Sequence, residues 1–321
     1  MRLVETVAEC RELLQWARAT GRSVGLVPTM GALHAGHVSL MARARAENDV
    51  VAVSIFVNPL QFGDPEDIAH YPRTLDWDTE VCTEEGVDLV FAPSVHEMYP
   101  HWPASVATTV SVVGVSEGWE GASRPGHFDG VATVVAKLFA IAGPCRAYFG
   151  EKDFQQLAVV RQMVADLSLP IDVVGCPIVR ERDGLALSSR NVRLSPEERR
   201  AAVVLSQALA EGRSLLEKGV EYSSTVAEAM RRVVEREPLV RLDYAVAVGH
   251  HDLVAREVVE DPASVRLLIA AEVGPVRLID NCAGVGTGLE SGVGVGTGAG
   301  AGAPASARPQ NAPARHLERI A

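Results

Sequence analysis

The sequence predicts an α/β fold in which a parallel sheet, covered by helices on both faces, is followed by a smaller α+β domain. Three observations carry this. Short β-rich runs alternate with segments whose apolar residues recur at three-and-four spacing, a succession of βαβ units. The run VVAVSIFV at 50–57 is apolar on both faces, as a strand between two helical layers must be. After Arg190 the texture changes to longer helical stretches and then to strand-like runs.

Taken in order, strands are expected at 23–27, 50–57, 88–92, 146–150 and 171–179, and helices at 38–47, 74–85, 130–142 and 154–167. Ser195-Pro196-Glu197-Glu198 reads as the start of a long helix running to about 218. It offers a serine cap, a proline in the first turn and acidic side chains at the positive end of the dipole. A second helix follows near 224–235, then the strand-like LDYAVAV and VRLLIAAEV. The expected organisation is a first domain over 1–183, a smaller C-terminal domain over 184–283 and a Gly/Ala/Pro-rich tail over 284–321. The tail holds nine of the 28 glycines and reads as disordered, with the folded body ending near Asn281.

Composition narrows the function classes. With 321 residues, 47% hydrophobic, 5% aromatic and 22% charged, and a mean hydropathy of +0.11, the chain suits a soluble globular protein with a full core. No apolar run reaches the roughly 18 residues of a membrane span. A formal charge of −11, from 41 acidic and 30 basic side chains, opposes attraction to a phosphate backbone or an anionic membrane surface, so neither nucleic acid nor membrane is the expected partner. The N-terminus MRLVETVAEC begins with an amphipathic pattern and has no apolar export core, which makes the cytoplasm the expected setting. The five cysteines are spaced too widely for a C-x-x-C motif and read as reduced, mostly buried hydrophobes.

The chemistry begins where the first strand runs out into Pro28-Thr29-Met30-Gly31-Ala32-Leu33-His34-Ala35-Gly36-His37 and then a helix. Ligands of open α/β sheets sit beyond the carboxyl ends of strands, where a helix start offers free N–H groups to an anion. Gly31 and Gly36 would let the backbone approach a ligand, and the two histidines can face one side and donate to phosphate oxygens. A bare H-x-x-H is also compatible with capping or surface histidines; its place after the first strand and beside two glycines favours a site. Read by themselves, Lys152 is a loop lysine, Asp153 the cap of the helix at Phe154, and Ser188-Ser189-Arg190 a turn.

PTMGALHAGH resembles the H-x-G-H signature of the nucleotidyltransferase superfamily, in the form found in the pantoate–β-alanine ligase family. Further blocks similar to that family follow in order: FVNPLQF at 56–62, YPRTLDWD at 71–78, RPGHFDG at 124–130, FGEKDFQQL at 149–157 and LALSSRN at 185–191. The resemblance spans about residues 1–281. It implies a Rossmann-like nucleotidyltransferase domain and the ATP-dependent condensation of (R)-pantoate with β-alanine through pantoyl adenylate, releasing AMP and pyrophosphate. Mg²⁺ accompanying ATP and a homodimer are implied as well.

Residue by residue, the resemblance puts Met30, Gly31, Ala32, Leu33, His34, Ala35, Gly36, His37, Gly150, Glu151, Lys152, Asp153, Val179, Leu187, Ser188, Ser189 and Arg190 against ATP. His34, His37, Lys152 and Arg190 take the catalytic roles, with His37 as proton donor. Asp153 holds the ribose, and Ser188 to Arg190 form a hinge loop whose hydroxyls and guanidinium fork close over phosphate. Gln61 and Gln156 hold pantoate, their neutral amides placing no competing nucleophile beside an activated acyl group, and Gln61 borders the β-alanine site. Asp76 and Asp78 match a magnesium-associated acidic segment that Trp77 interrupts here; a solvated helix face is the other reading. Arg124 and His127 border the substrate entrance, where Asp129 stands at a position often basic in the family. His250 and His251 read as surface or cap residues. A plain nucleotidyltransferase without an amine site, and a nucleotide-binding regulator without catalysis, are the competing readings.

Overall fold

The computed structural model describes residues 1–285 except Asp64 and Ser105, so most of the tail expected from 284 onward lies outside the described residues. The chain begins with β1 (Arg2–Val4), α1 (Val7–Ala19), β2 (Val24–Thr29), α2 (Ala35–Glu47), β3 (Val50–Ile55), α3 (Pro65–Ala69), α4 (Leu75–Glu84) and β4 (Leu89–Phe91). It continues through α5 (Val95–Met98), α6 (Glu120–Ser123), α7 (His127–Ala142), β5 (Cys145–Gly150), α8 (Phe154–Asp166) and β6 (Ile171–Cys176). The C-terminal part holds α9 (Pro196–Ala201), α10 (Val204–Glu217), α11 (Ser223–Val234), β7 (Val240–Gly249), β8 (Val265–Val273) and β9 (Val276–Ala283).

The first six strands form one parallel, Rossmann-like sheet in the order β1-β4-β3-β2-β5-β6. Period-2 alternation divides its side chains between two cores. Val27, Val51, Val53, Val90 and Tyr148 pack on one side with Met41 and Ala44 of α2, whereas Leu26, Ala52, Phe91 and Phe149 pack on the other with α1, α7 and α8. The last three strands form a separate antiparallel sheet, β7-β8-β9, whose face is covered by α10 and α11 through Leu209, Met230, Leu267 and Ile269.

Two expectations change. The helix expected to run unbroken from 195 to 218 is divided at Ala202–Val203. There the bonding slips to three-residue spacing, Val203 N–H to Arg200 O and Leu205 N–H to Ala202 O. The folded part extends past Asn281, because β9 pairs with β8 through Ala283. β1, a three-residue edge strand beside β4, and β9 have no counterpart among the expected strands.

Strand order reverses between β2 and β5. In an open parallel sheet the loops leaving such a pair diverge to opposite faces and open a crevice between them. The loop after β2 ends at His34, with His37 in the first turn of α2, and the turn after β5 carries Lys152 and Asp153.

Candidate active site

The loop leaving β2 turns through two left-handed residues, Gly31 at φ +82° and Ala32 at φ +50°. A Cβ at position 31 would lie 2.8 Å from Asp78 Oδ2, so the turn and its anchor are fitted to one another. Asp78, fully buried on α4, accepts the N–H groups of Ala32 and Leu33 at 3.1 and 2.8 Å and the Thr74 hydroxyl at 3.2 Å. For Asp78 this corrects both readings of the acidic segment: it is neither on a solvated face, the reading that holds for Asp76, nor in the cleft, and its oxygens hold the signature loop from behind. Asp76 is exposed and also lies away from the cleft.

His34 caps α2, its Nδ1 accepting the Gly36 N–H at 3.1 Å, and His37 Nδ1 accepts the His34 N–H at 3.3 Å. The N–H groups of Gly36, His37 and Val38 are thereby taken within the first turn. The helix start thus does not meet an anion with these main-chain groups, as its sequence suggested; the imidazoles face the cleft instead. With each Nδ1 an acceptor, the proton of each neutral ring sits on Nε2. The rings lie 4.1 Å apart, centroid to centroid. Burial, then the nearby Lys152 charge, lowers the His34 pKa to about 4; burial, then His34, lowers that of His37 to about 3. Both are neutral Nε2–H donors at physiological pH.

Opposite them, the single turn Glu151–Asp153 brings Lys152 within 3.7 Å of Asp153. Burial pushes the Asp153 carboxyl up, but the charges of Lys152, Arg190, His127 and Arg124 prevail and hold it below its usual range. The segment after β6 folds back on itself, Leu187 N–H bonding Val179 O at 3.0 Å, and delivers Ser188, Ser189 and Arg190 to the same cleft. Arg124 donates to His127 Nε2 at 3.1 Å and His127 Nδ1–H donates to Gln61 O at 2.9 Å. Burial and the Arg124 charge lower the His127 pKa to about 4, and burial lowers that of Arg124.

Gln61 is set by close approach of two main chains. A Cβ on Gly130, in the first turn of α7, would fall 2.3 Å from Leu60 O and 2.7 Å from Gln61 N, so only glycine lets α7 meet this turn. Asn58 Nδ2 ties the same place together, donating to Gly130 O at 3.0 Å and Gln61 Oε1 at 3.1 Å.

These groups line a single cavity of about 230 Å³. Of the residues singled out in the sequence, Met30, His34, Gly36, His37, Gln61, Arg124, His127, Gly150, Lys152, Asp153, Gln156, Val179, Leu187, Ser188, Ser189 and Arg190 face it. Gly31, Ala32, Leu33 and Ala35 form its supporting loop, and Glu151 turns away toward Arg266. Asp129 is exposed; His250 packs edge-on against Phe154 and His251 is exposed. Sequence reasoning passed over Asn58 and Tyr71, although both lie inside quoted motifs, and an apolar wall of Phe56, Val131, Val134, Val135 and Leu138.

The sequence model of the family described as Pantoate-beta-alanine ligase matches residues 2–283. A pantothenate synthetase of Roseiflexus sp. (strain RS-1) is 52% identical over 282 residues, covering 88% of this chain and 99% of that protein. The crystal structure of pantothenate synthetase from Thermus thermophilus superposes with a TM-score of 0.82 at 50% identity, over 88% of this chain and 99% of that one. A pantoate-beta-alanine ligase from Francisella tularensis, described as complexed with beta-gamma ATP and beta-alanine, gives a TM-score of 0.71 at 32% identity over 88% and 98%.

Proposed function

This chain belongs to the pantoate–β-alanine ligase family, and on that premise we propose that the cleft carries out the family's ATP-dependent ligation in two steps through a pantoyl adenylate. A pantoate carboxylate oxygen attacks the α-phosphorus of ATP and pyrophosphate leaves. The β-alanine nitrogen then attacks the acyl carbon, sheds a proton, and AMP departs with the acyl C–O bond's electron pair. The observation that carries the reading is local charge. In a chain of formal charge −11 the described residues that line the cleft include three cations, Arg124, Lys152 and Arg190, and one carboxylate, Asp153. Such a site suits a polyanion together with a carboxylic acid.

His34 and His37 supply neutral Nε2–H donors to phosphate oxygens, while Lys152 and Arg190 offset charge that grows on the leaving pyrophosphate. Asp153 takes the ribose. The Gln61 and Gln156 amides hold the pantoate hydroxyls and carboxylate, and the wall of Val134, Val135 and Leu138 meets its two methyl groups. Mg²⁺ fits as an ion carried by the nucleotide, since Asp153 is the one carboxylate among the described residues that line the cleft and this ion commonly keeps water and phosphate as ligands. Bound, it would neutralise triphosphate charge.

The same reading extends to an (R)-configured pantoate, a homodimer, and the division into 1–183 and 184–283. It also includes a cytoplasmic setting, with which the five free thiols agree. Pyrophosphate release measured with each substrate omitted in turn tests the function. Release requiring ATP and pantoate, with AMP formed only when β-alanine is added, is expected; a stable nucleotidyl product would overturn it.

A further inference from the structure

The last strand of the small sheet carries two polar residues where core packing would favour apolar ones. Asp280 and Asn281 on β9 are 3% and 2% exposed. Asn281 Nδ2 donates to the main-chain carbonyls of both Glu151 and Lys152, each at 2.9 Å. Its Oδ1 accepts Arg266 Nε at 2.7 Å, and Arg266 Nη2 reaches Glu151 Oε2 at 2.9 Å with its guanidinium 4.1 Å over the Phe154 ring. The turn that aims Lys152 into the cleft is thus fixed from behind by the C-terminal sheet.

The neighbouring residue holds the other phosphate-facing segment. Asp280 receives Arg180 Nη1 and Nη2 at 2.6 and 2.9 Å, and its Oδ1 also accepts the Asn281 N–H at 2.7 Å. Arg180 in turn donates to Gly184 O at 3.0 Å and pairs across to Ala186, within the hairpin that leads into Ser188–Ser189–Arg190. A buried ion pair adds little net stability over apolar packing of the same volume. What it adds here is direction.

We infer that Asp280 and Asn281, with Arg180 and Arg266, are positioning residues that set Lys152 at a fixed separation from Arg190, one strand gauging both cation-bearing segments across the triphosphate. None of the four lines the cleft, so each acts through the main chain or side chain of another residue. The inference rests on the two-step reading above. It predicts an effect confined to the step in which both cations face departing pyrophosphate, because misplacing a group by about 1 Å can cost on the order of 100-fold in rate.

The test compares both half-reactions in full-length wild type, Asn281→Ala and Glu151→Gln. Wild type must first release pyrophosphate from ATP and pantoate; if it does not, the two-step reading fails and this inference falls with it. Given that activity, folded Asn281→Ala is expected to lose kcat for pyrophosphate release by roughly 10- to 100-fold, with β-alanine attack on supplied pantoyl adenylate changed by less than about threefold. Glu151→Gln alters a partly exposed carboxylate, keeps its shape and removes only the Arg266 ion pair; it decides the matter should Asn281→Ala not fold. Its expected loss is about 3- to 10-fold in the same half-reaction. Wild-type pyrophosphate release in a folded variant, or equal loss in both half-reactions, would overturn the positioning role.

Discussion

The substitution Asp78→Asn distinguishes a carboxylate that anchors a loop from one that binds a metal. The Asp78 oxygens accept two main-chain N–H groups and one hydroxyl in a fully buried position. Hydrogen bonds to a charged group contribute about 1.5–3 kcal/mol each, and desolvation of the charge removes part of that gain. Burial pushes the Asp78 carboxyl up, so the lower part of the range applies. Asn keeps one acceptor and turns an amide N–H toward a main-chain N–H, for an expected loss of about 2 kcal/mol; Ala strands both N–H groups and should cost about 3–4 kcal/mol. At roughly 2–4 °C per kcal/mol, the Asn variant melts about 4–8 °C lower. Pyrophosphate release falls in parallel, because the loop that leads into His34 and the helix start with His37 has lost its anchor. Thermal melting without ligand and a Mg²⁺ titration of the rate provide the two readouts. An unchanged melting temperature, with the rate restored by excess Mg²⁺, would refute the anchoring argument and return Asp78 to the metal.

Other perturbations follow from the same geometry. His37→Ala and Lys152→Ala each remove one directed donor, so pyrophosphate release should fall roughly 100- to 1000-fold while attack by β-alanine on supplied adenylate suffers less; near-normal release by either would count against the assignment. Gly130→Ala drives a methyl into Leu60 O and should cost about 1–3 kcal/mol of stability. The displaced Gln61 should also lower kcat/KM for pantoate on the order of 10- to 100-fold, and an effect confined to ATP would be inconsistent with its placement. The three depressed histidines, with pKa values of about 4, 3 and 4 for His34, His37 and His127, make the unfolded chain the stronger proton binder below its value near 6.5. Their stabilising share is complete above that value and is lost as pH falls from about 6.5 toward 4. Near pH 5, unfolding should take up roughly three protons through these residues, and about one fewer in His37→Ala. Identical pH slopes of melting for the two proteins would contradict the burial argument.

What the residues disclosed, and what they concealed, follows from the range of the interactions. The parallel sheet was legible because 50–57 is apolar on both faces and the helices around it keep their period, features local to each segment. The rule for ligands at strand ends pointed to the imidazoles alone, whereas their meeting with Lys152 and Arg190 was legible only through the family resemblance of the motifs, since by themselves these two read as a loop lysine and part of a turn. β9 was not, since the Asp-Asn within VRLIDNCA reads as a turn signal until Arg180, Arg266 and the Lys152 turn arrive to satisfy it. Asp78 was hidden for the same reason: a carboxylate between Trp77 and Thr79 looks solvated until two N–H groups from about 45 residues upstream are folded over it. In both cases the missing information was a long-range partner for a polar side chain.

The state of the histidines bears on how the cleft divides its electrostatic labour. Two imidazolium ions here would be charges buried away from water and, secondarily, set beside one another and Lys152, and the lowered pKa values register both costs. Kept neutral, they would orient phosphate oxygens, as the proposed function has it, without adding to the charge that binds ground-state ATP. In the proposed function the full cations are those of Lys152 and Arg190, set beside the pyrophosphate whose negative charge increases as the bond breaks. Interactions that strengthen toward the transition state raise kcat, whereas uniform tight binding of ATP would lower only KM. Neutralising Lys152 should therefore act mainly on kcat. Removing His34 while leaving the helix capped, as in His34→Asn, should divide its effect between kcat and the KM for ATP. Steady-state kinetics of the two variants at saturating pantoate would check this, and a Lys152 variant altered only in KM would show that its charge serves binding alone.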